Sequence, residues 1–181
     1  MVLIRSASTA DAAQISAVMR DSWFAAYDGI IVPALIDQAT APDGGARIRQ
    51  SFRLRPWQRM IAAVEDGIVG YASFGPERDV LDTPWPYPLT PAGSDGQVAE
   101  LYALYVHPVW WSTGTGRALM DHVLAKARAA GYARITLWVL EANARARRFY
   151  ARAGFAADGA RHVLDDLGGV TEIRYRRALS T

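Results

Sequence analysis

Cysteine is missing from these 181 residues. That excludes a disulfide framework and a thiolate metal site, and nothing then speaks for export. Lysine is nearly missing too: Lys126 stands alone, and arginine supplies the rest of the 20 basic residues. Arginine suits phosphate recognition, but a compositional bias of the source genome is the simpler reading. Neither sign of charge predominates, with 20 basic and 18 acidic residues. The formal net charge is only +2, despite a sequence pI near 9.1, so the arginines make no nucleic-acid surface. No apolar run reaches the length of a membrane span. The opening MVLIRSAST lacks the form of a signal peptide, so the expected location is the cytoplasm. His107, His122 and His162 show no ligand spacing, and no metal is expected.

What is present is a globular composition, 51% hydrophobic and 21% charged, of a length that fits one domain over 1–181. The central stretch runs from the apolar AELYALYV (Ala99 to Val106) through His107-Pro108 into the small-residue loop Ser112-Thr113-Gly114-Thr115-Gly116. A long Ala-rich segment with helical spacing follows, closed by Gly131. Strand, glycine-spaced turn and helix, in that order, present bare backbone N–H groups where a phosphate binds. The same order also makes an ordinary tight turn. It is neither a Walker loop nor a complete dinucleotide fingerprint.

Around it the chain alternates. Val2 to Arg5 reads as a strand, and Ser8 with Asp11 resembles a capping box opening a helix that ends near Tyr27. Trp23 and Tyr27 share one face of that helix, as core aromatics or as the wall of a substrate site. Helical segments are predicted over Pro33 to Ala39 and Arg47 to Arg55. Met60 to Val64 and Ile68 to Phe74 flank an Asp66-Gly67 turn, a hairpin signature. Residues 75–97 form a Pro-rich loop carrying Trp85 and Tyr87, either functional or an inert excursion. Arg134 to Leu140 is a strand, Asn143 to Ala153 a helix, Phe155 the start of an extended segment, and Val170 to Ala178 a closing strand. The sum is a mixed α/β or α+β sheet with helices packed against it.

Three separated segments together resemble the GNAT superfamily of acyl-CoA-dependent N-acetyltransferases. They are Val106-His107-Pro108 after a strand, the loop Trp111 to Gly116, and the block Asn143, Ala146, Phe149, Tyr150, Gly154 and Phe155. The resemblance implies a mostly antiparallel sheet of six to seven strands, splayed at the cofactor site and flanked by about four helices. It implies acetyl-CoA as cofactor and direct acetyl transfer to a primary amine, of a small molecule or a peptide, in a ternary complex. The backbone of Leu104, Tyr105 and Val106 would pair with the pantetheine arm. Trp111, Ser112, Thr113, Gly114, Thr115, Gly116 and Arg117 would cradle the pyrophosphate. Trp111-Ser112 departs from the usual Arg or Gln followed by Gly, which removes one phosphate contact.

Tyr150 matches the position of a general acid for the departing thiolate, or else is a core aromatic. Glu100, at the start of the central strand, reads as a general base or as a salt-bridged strand end. Asn143 holds the cofactor arm, caps its own helix, or does both. Trp23, Tyr27, Trp85 and Tyr87 are the candidate acceptor wall. The alternative is a non-catalytic, regulatory acyl-CoA-binding module. A homodimer is the family-level expectation, and neither nucleic acid nor membrane is expected as partner.

Overall fold

The computed structural model describes residues 2–55, 57–78 and 98–179. Much of the Pro-rich loop, with Trp85 and Tyr87, lies outside the described residues. Among the described residues there are seven strands: β1 (Leu3–Ser6), β2 (Arg59–Val64), β3 (Ile68–Pro76), β4 (Val98–Val106), β5 (Arg134–Leu140), β6 (Ala156–Leu164) and β7 (Val170–Ala178). They form one sheet in the order β1-β2-β3-β4-β5-β7-β6. Every neighbouring pair is antiparallel except β4 with β5. The helices are α1 (Ala12–Ala26), α2 (Pro33–Ala39), α3 (Ala46–Leu54), α4 (Thr115–Ala129) and α5 (Ala144–Arg152).

Strand alternation sorts the side chains to two faces. On one face Ile61, Ala72, Phe74, Leu101, Ile135, Leu137 and Ile173 meet the apolar stripe of α4 (Leu119, Met120, Val123, Leu124, Ala127), with Tyr150 from α5. On the other face Met60, Ala62 and Tyr71 meet Ala12, Ile15 and Val18 of α1. A third cluster joins Leu140 and Leu164 to Ile31 and Ile36, around Trp23 and Tyr27. Gly45 lets α3 pack closely on α1: its φ is +86°, and a Cβ there would lie 2.4 Å from the Ala12 carbonyl carbon.

The helix opened by Ser8 and Asp11 starts as a short 3-10 turn (Thr9–Asp11) before α1. Asp11 accepts from the Ser8 backbone N–H at 2.8 Å and from Arg5 at 2.7 and 2.8 Å. The Arg5 guanidinium holds the Asp11 carboxyl well below its ordinary 3.8. A carboxyl depressed in the folded state stabilises fully above its unfolded pKa, and that contribution fades as pH falls through the folded value. Asp11→Asn is therefore expected to be less stable than the parent at pH 7, with the gap closing below about pH 4. Urea midpoints at pH 3 and 7 measure it, and a gap that is equal at both values contradicts the assignment.

Candidate active site: a parted pair of strands above a helix N-terminus

β4 and β5 pair only from Val98↔Arg134 to Leu101↔Leu137. Both strands continue, β4 to Val106 and β5 to Leu140, but their ladder stops, and the sheet opens like a V. The ladder between β3 and β4 slips at the same level, where Ser73↔Ala103 is followed by Phe74↔Leu101, leaving Tyr102 as the extra residue of a bulge. The slip has a chemical consequence. Residues five apart on a regular strand point to opposite faces. Across this bulge Glu100 and Tyr105 both point to the α1 face, whereas Leu104 packs toward α4.

The parting opens into a cleft of about 840 Å³. Its α4/α5 side is lined by Leu104, Gly116, Asn143, Arg145, Phe149 and Tyr150. Its α1 side is lined by Trp23, Tyr27, Tyr105, Trp138 and Glu172. Two reactants can thus approach one another from opposite faces of the sheet.

Below the V lies the glycine-spaced loop. The Val106 carbonyl accepts from Ser22 Oγ at 2.9 Å and from Trp111 Nε1 at 2.7 Å, which pins the strand end to α1 and to the loop. Ser112 (φ +65°) and Gly114 (φ +95°) both take the left-handed conformation. The family's usual glycine at position 112 thus has a backbone reason, and serine there carries a local cost. Thr113 Oγ1 donates to the Trp110 carbonyl at 2.8 Å and lies 2.9 Å from Thr115 Oγ1. α4 begins at Thr115, so the N–H groups of its first turn have no helical acceptor. Arg117 turns back along α4 to Asp121, at 2.9 Å.

The indole of Trp111, drawn in by its bond to Val106, lies under the Arg145 guanidinium, 4.1 Å from its ring centroid. A basic group thus stands beside the loop although the loop sequence has none. Sequence reasoning missed Arg145, since it occupies a variable position of the Asn143 block.

Asn143 caps α5, its Oδ1 accepting from Ala146 N–H at 3.0 Å, and it also lines the cleft. Tyr150 is packed edge-on against Phe149 and Phe155, with centroids 5.3 and 6.1 Å away. Burial pushes its phenol above the ordinary value, so the hydroxyl keeps its proton.

Glu100 is fully buried, and both its oxygens are taken by Arg78 through the backbone N–H (2.8 Å), Nε and the terminal guanidinium nitrogen. Burial pushes its carboxyl up, and Arg78 opposes that shift. Trp23 meets Tyr27 edge-on at 5.1 Å and Tyr105 at 6.4 Å. Burial and the neighbouring Tyr105 hydroxyl push the Tyr27 phenol up. Among the described residues the Trp23 Nε1 is buried without a hydrogen-bond partner.

His107 lies 3.4 Å from Asp21, and His122 sits within α4. Among the described residues no three His, Asp or Glu side chains cluster as metal ligands. His162 on β6 stands directly across from Glu172 on β7, with Nδ1 3.1 Å from Oε1. The signal for that pair was present but unread: the two residues are equidistant from the turn at Asp165 to Gly169. Among the described residues no helix is long and apolar enough to cross a membrane.

Known proteins resemble this chain in sequence and in fold. An uncharacterised N-acetyltransferase of Mycobacterium tuberculosis is 38% identical over 109 residues, covering 59% of this chain, and the chain spans 58% of that relative's length. A GNAT-family acetyltransferase of Desulfovibrio desulfuricans superposes with a TM-score of 0.71 at 24% identity, covering 99% of this chain and 100% of its own. The PaiA N-acetyltransferase of Thermoplasma acidophilum, solved with coenzyme A, has a TM-score of 0.70 at 18% identity, covering 96% and 98%. At these identities the two structures speak for the fold. Residues 19–155 match the family model described as the acetyltransferase (GNAT) family, and the chain belongs to that family.

Proposed function

We propose that the protein transfers the acetyl group of acetyl-CoA to a primary amine within a ternary complex. The observation that carries this reading is the V between β4 and β5, ending on the free N–H groups of α4. The residues present suit the cofactor. Beyond Leu101 the β5-facing edge of β4 has no ladder partner, so the stretch from Tyr102 to Tyr105 offers backbone groups to an amide-bearing arm. The turn from Thr113 to Arg117 offers N–H groups to a pyrophosphate, and Arg145 adds a charge beside it. When bound, acetyl-CoA supplies a thioester carbonyl open to attack by a neutral amine.

The chain's own part is alignment and proton traffic. Holding both reactants in one cleft removes much of the bimolecular entropy cost. Tyr150, protonated through the neutral range, donates its hydroxyl proton to the departing sulfur. In this reading Glu100, clamped by Arg78, fixes the paired start of β4 and tunes the field of the cleft. The PaiA protein's complex with coenzyme A supports the cofactor assignment by analogy of fold.

The test follows free thiol. Coenzyme A is expected to raise the Tm, and acetyl-CoA to release thiol only when a primary amine is added. Stabilisation without release on a broad amine panel would leave the non-catalytic binding module. Absence of stabilisation removes both readings.

A further inference from the structure

Among the described residues two carboxylates line the cleft, and the fold treats them differently. Glu100 sits at the closed end of the V with its oxygens occupied by Arg78. Glu172 sits on β7, beside Leu140 at the open end, and is 8% exposed. Alternation along β7 sends Ile173 and Tyr175 into the α4/α5 core and Glu172 to the α1 face, where the acceptor side of the cleft lies. His162, cross-strand at 3.1 Å, fixes the carboxylate in place, and the His162 ring in turn packs edge-on against Trp138 at 6.2 Å.

The surroundings of Glu172 are aromatic. Trp23, Tyr27, Tyr105 and Trp138 line the same end of the cleft. Ring faces attract cations and a carboxylate supplies the full counter-charge, so this combination selects a positively charged group over a neutral or anionic one. Arg174, the cation nearest along β7, is engaged by Asp158 at 2.8 Å and lies 3.7 Å from Glu77. An anionic acceptor would therefore meet Glu172 with that cation already committed.

We propose that Glu172, positioned by His162, binds the acceptor as an ammonium ion and takes its proton before attack. This rests on the acetyl-transfer reading above and narrows it: the acceptor is a primary amine, cationic at neutral pH, carried on an apolar or aromatic body and without a carboxylate beside the nitrogen. The proton balance closes. The ammonium gives one proton to the Glu172 carboxylate, and the neutral nitrogen forms the C–N bond as the C–S bond breaks. Sulfur leaves with the proton of the Tyr150 hydroxyl, and the second nitrogen proton restores that hydroxyl. Glu172 returns its proton to solvent through the His162 side. Among the described residues, the titratable and charged groups around Glu172 include His162 from β6, Arg174 on β7, Tyr105 from β4, Tyr27 at the end of α1 and, lining the same cleft, Tyr150 from α5.

The experiment measures kcat/KM of the full chain with acetyl-CoA and either phenethylamine or phenylalanine, from pH 6.5 to 10, for the parent, Glu172→Gln and Glu100→Gln. The parent is expected to prefer phenethylamine by about tenfold or more. Glu172→Gln is expected to lose about tenfold or more on phenethylamine at pH 7, to recover as pH approaches the amine's own pKa, and to discriminate less against phenylalanine. A merely structural role gives a loss that is constant with pH, as expected here for Glu100→Gln. Should Glu172→Gln not fold, Glu172→Asp keeps the charge and is expected to retain the amine preference with a shifted KM. A flat Glu172→Gln ratio, or a pH-dependent loss in Glu100→Gln instead, overturns the assignment while leaving acetyl transfer intact. A parent that binds coenzyme A yet acetylates neither amine nor any other removes the transfer reading and this inference with it.

Discussion

Tyr150→Phe is expected to lower kcat by about a hundredfold or more while the fold and coenzyme A binding stay as they were. The phenol is buried at the foot of the cleft, its ring wedged between Phe149 and Phe155. Phenylalanine keeps that ring and its packing, so the change removes one oxygen from an otherwise unaltered core. The loss should fall on kcat, because the departing sulfur needs a proton only as the bond breaks. Burial holds the phenol protonated well past neutrality, so the parent should show no alkaline fall from Tyr150 in the working range. The checks are steady-state rates by thiol release and the coenzyme A-induced rise in Tm. A variant that turns over within about threefold of the parent makes Tyr150 a core aromatic with no proton to give.

The residues that carry this expectation were readable in the chain because their signals are local. The helix of Tyr150 is opened by Asn143, which caps it, and closed by Gly154 at φ +82°, so its start and stop sit in adjacent sequence. The hairpin of β2 and β3 is announced by Asp66 and Gly67, both at positive φ. α2, over Pro33–Ala39, has the predicted bounds.

What was not readable is tertiary. Nothing along β4 says that its pairing with β5 ends at Leu101, because that depends on how the two strands diverge. Nor does Tyr102 betray a bulge, though the bulge decides that Glu100 and Tyr105 share a face. Trp111 read as the loss of a basic contact. In the fold its indole turns inward to Val106 and supports Arg145 from another helix, so the charge near the loop is displaced rather than deleted. Ser112 could be seen to replace a glycine, but only its φ of +65° says what that glycine is for.

The Glu100–Arg78 pair sets the other large expectation. Arg78→Ala should destabilise the protein by about 3 kcal/mol or more, a fall in Tm of roughly 10 °C at this chain length. The Glu100 side chain is 1% exposed and Arg78 17%, so water cannot replace the guanidinium once it is gone. Removing one member of a buried ion pair leaves the other charge uncompensated, and that penalty far exceeds what the intact pair contributes. The sign with pH follows from linkage. Burial already raises the Glu100 carboxyl in the folded state, with Arg78 pulling it back. Without Arg78 it rises further, the folded state then binds the proton more tightly than the unfolded chain, and stability grows as pH falls. The deficit of Arg78→Ala relative to the parent should therefore be largest above neutrality and shrink toward pH 5. Glu100→Gln added to Arg78→Ala should recover part of the loss at pH 8 and little at pH 5, because it supplies permanently the neutral group that acid supplies by protonation. Urea unfolding of the parent, the single and the double variant at the two pH values measures all of this. A single variant within about 0.5 kcal/mol of the parent at pH 8 would mean that the Glu100 charge is compensated without Arg78, and the pair would then not be what holds the closed end of the cleft.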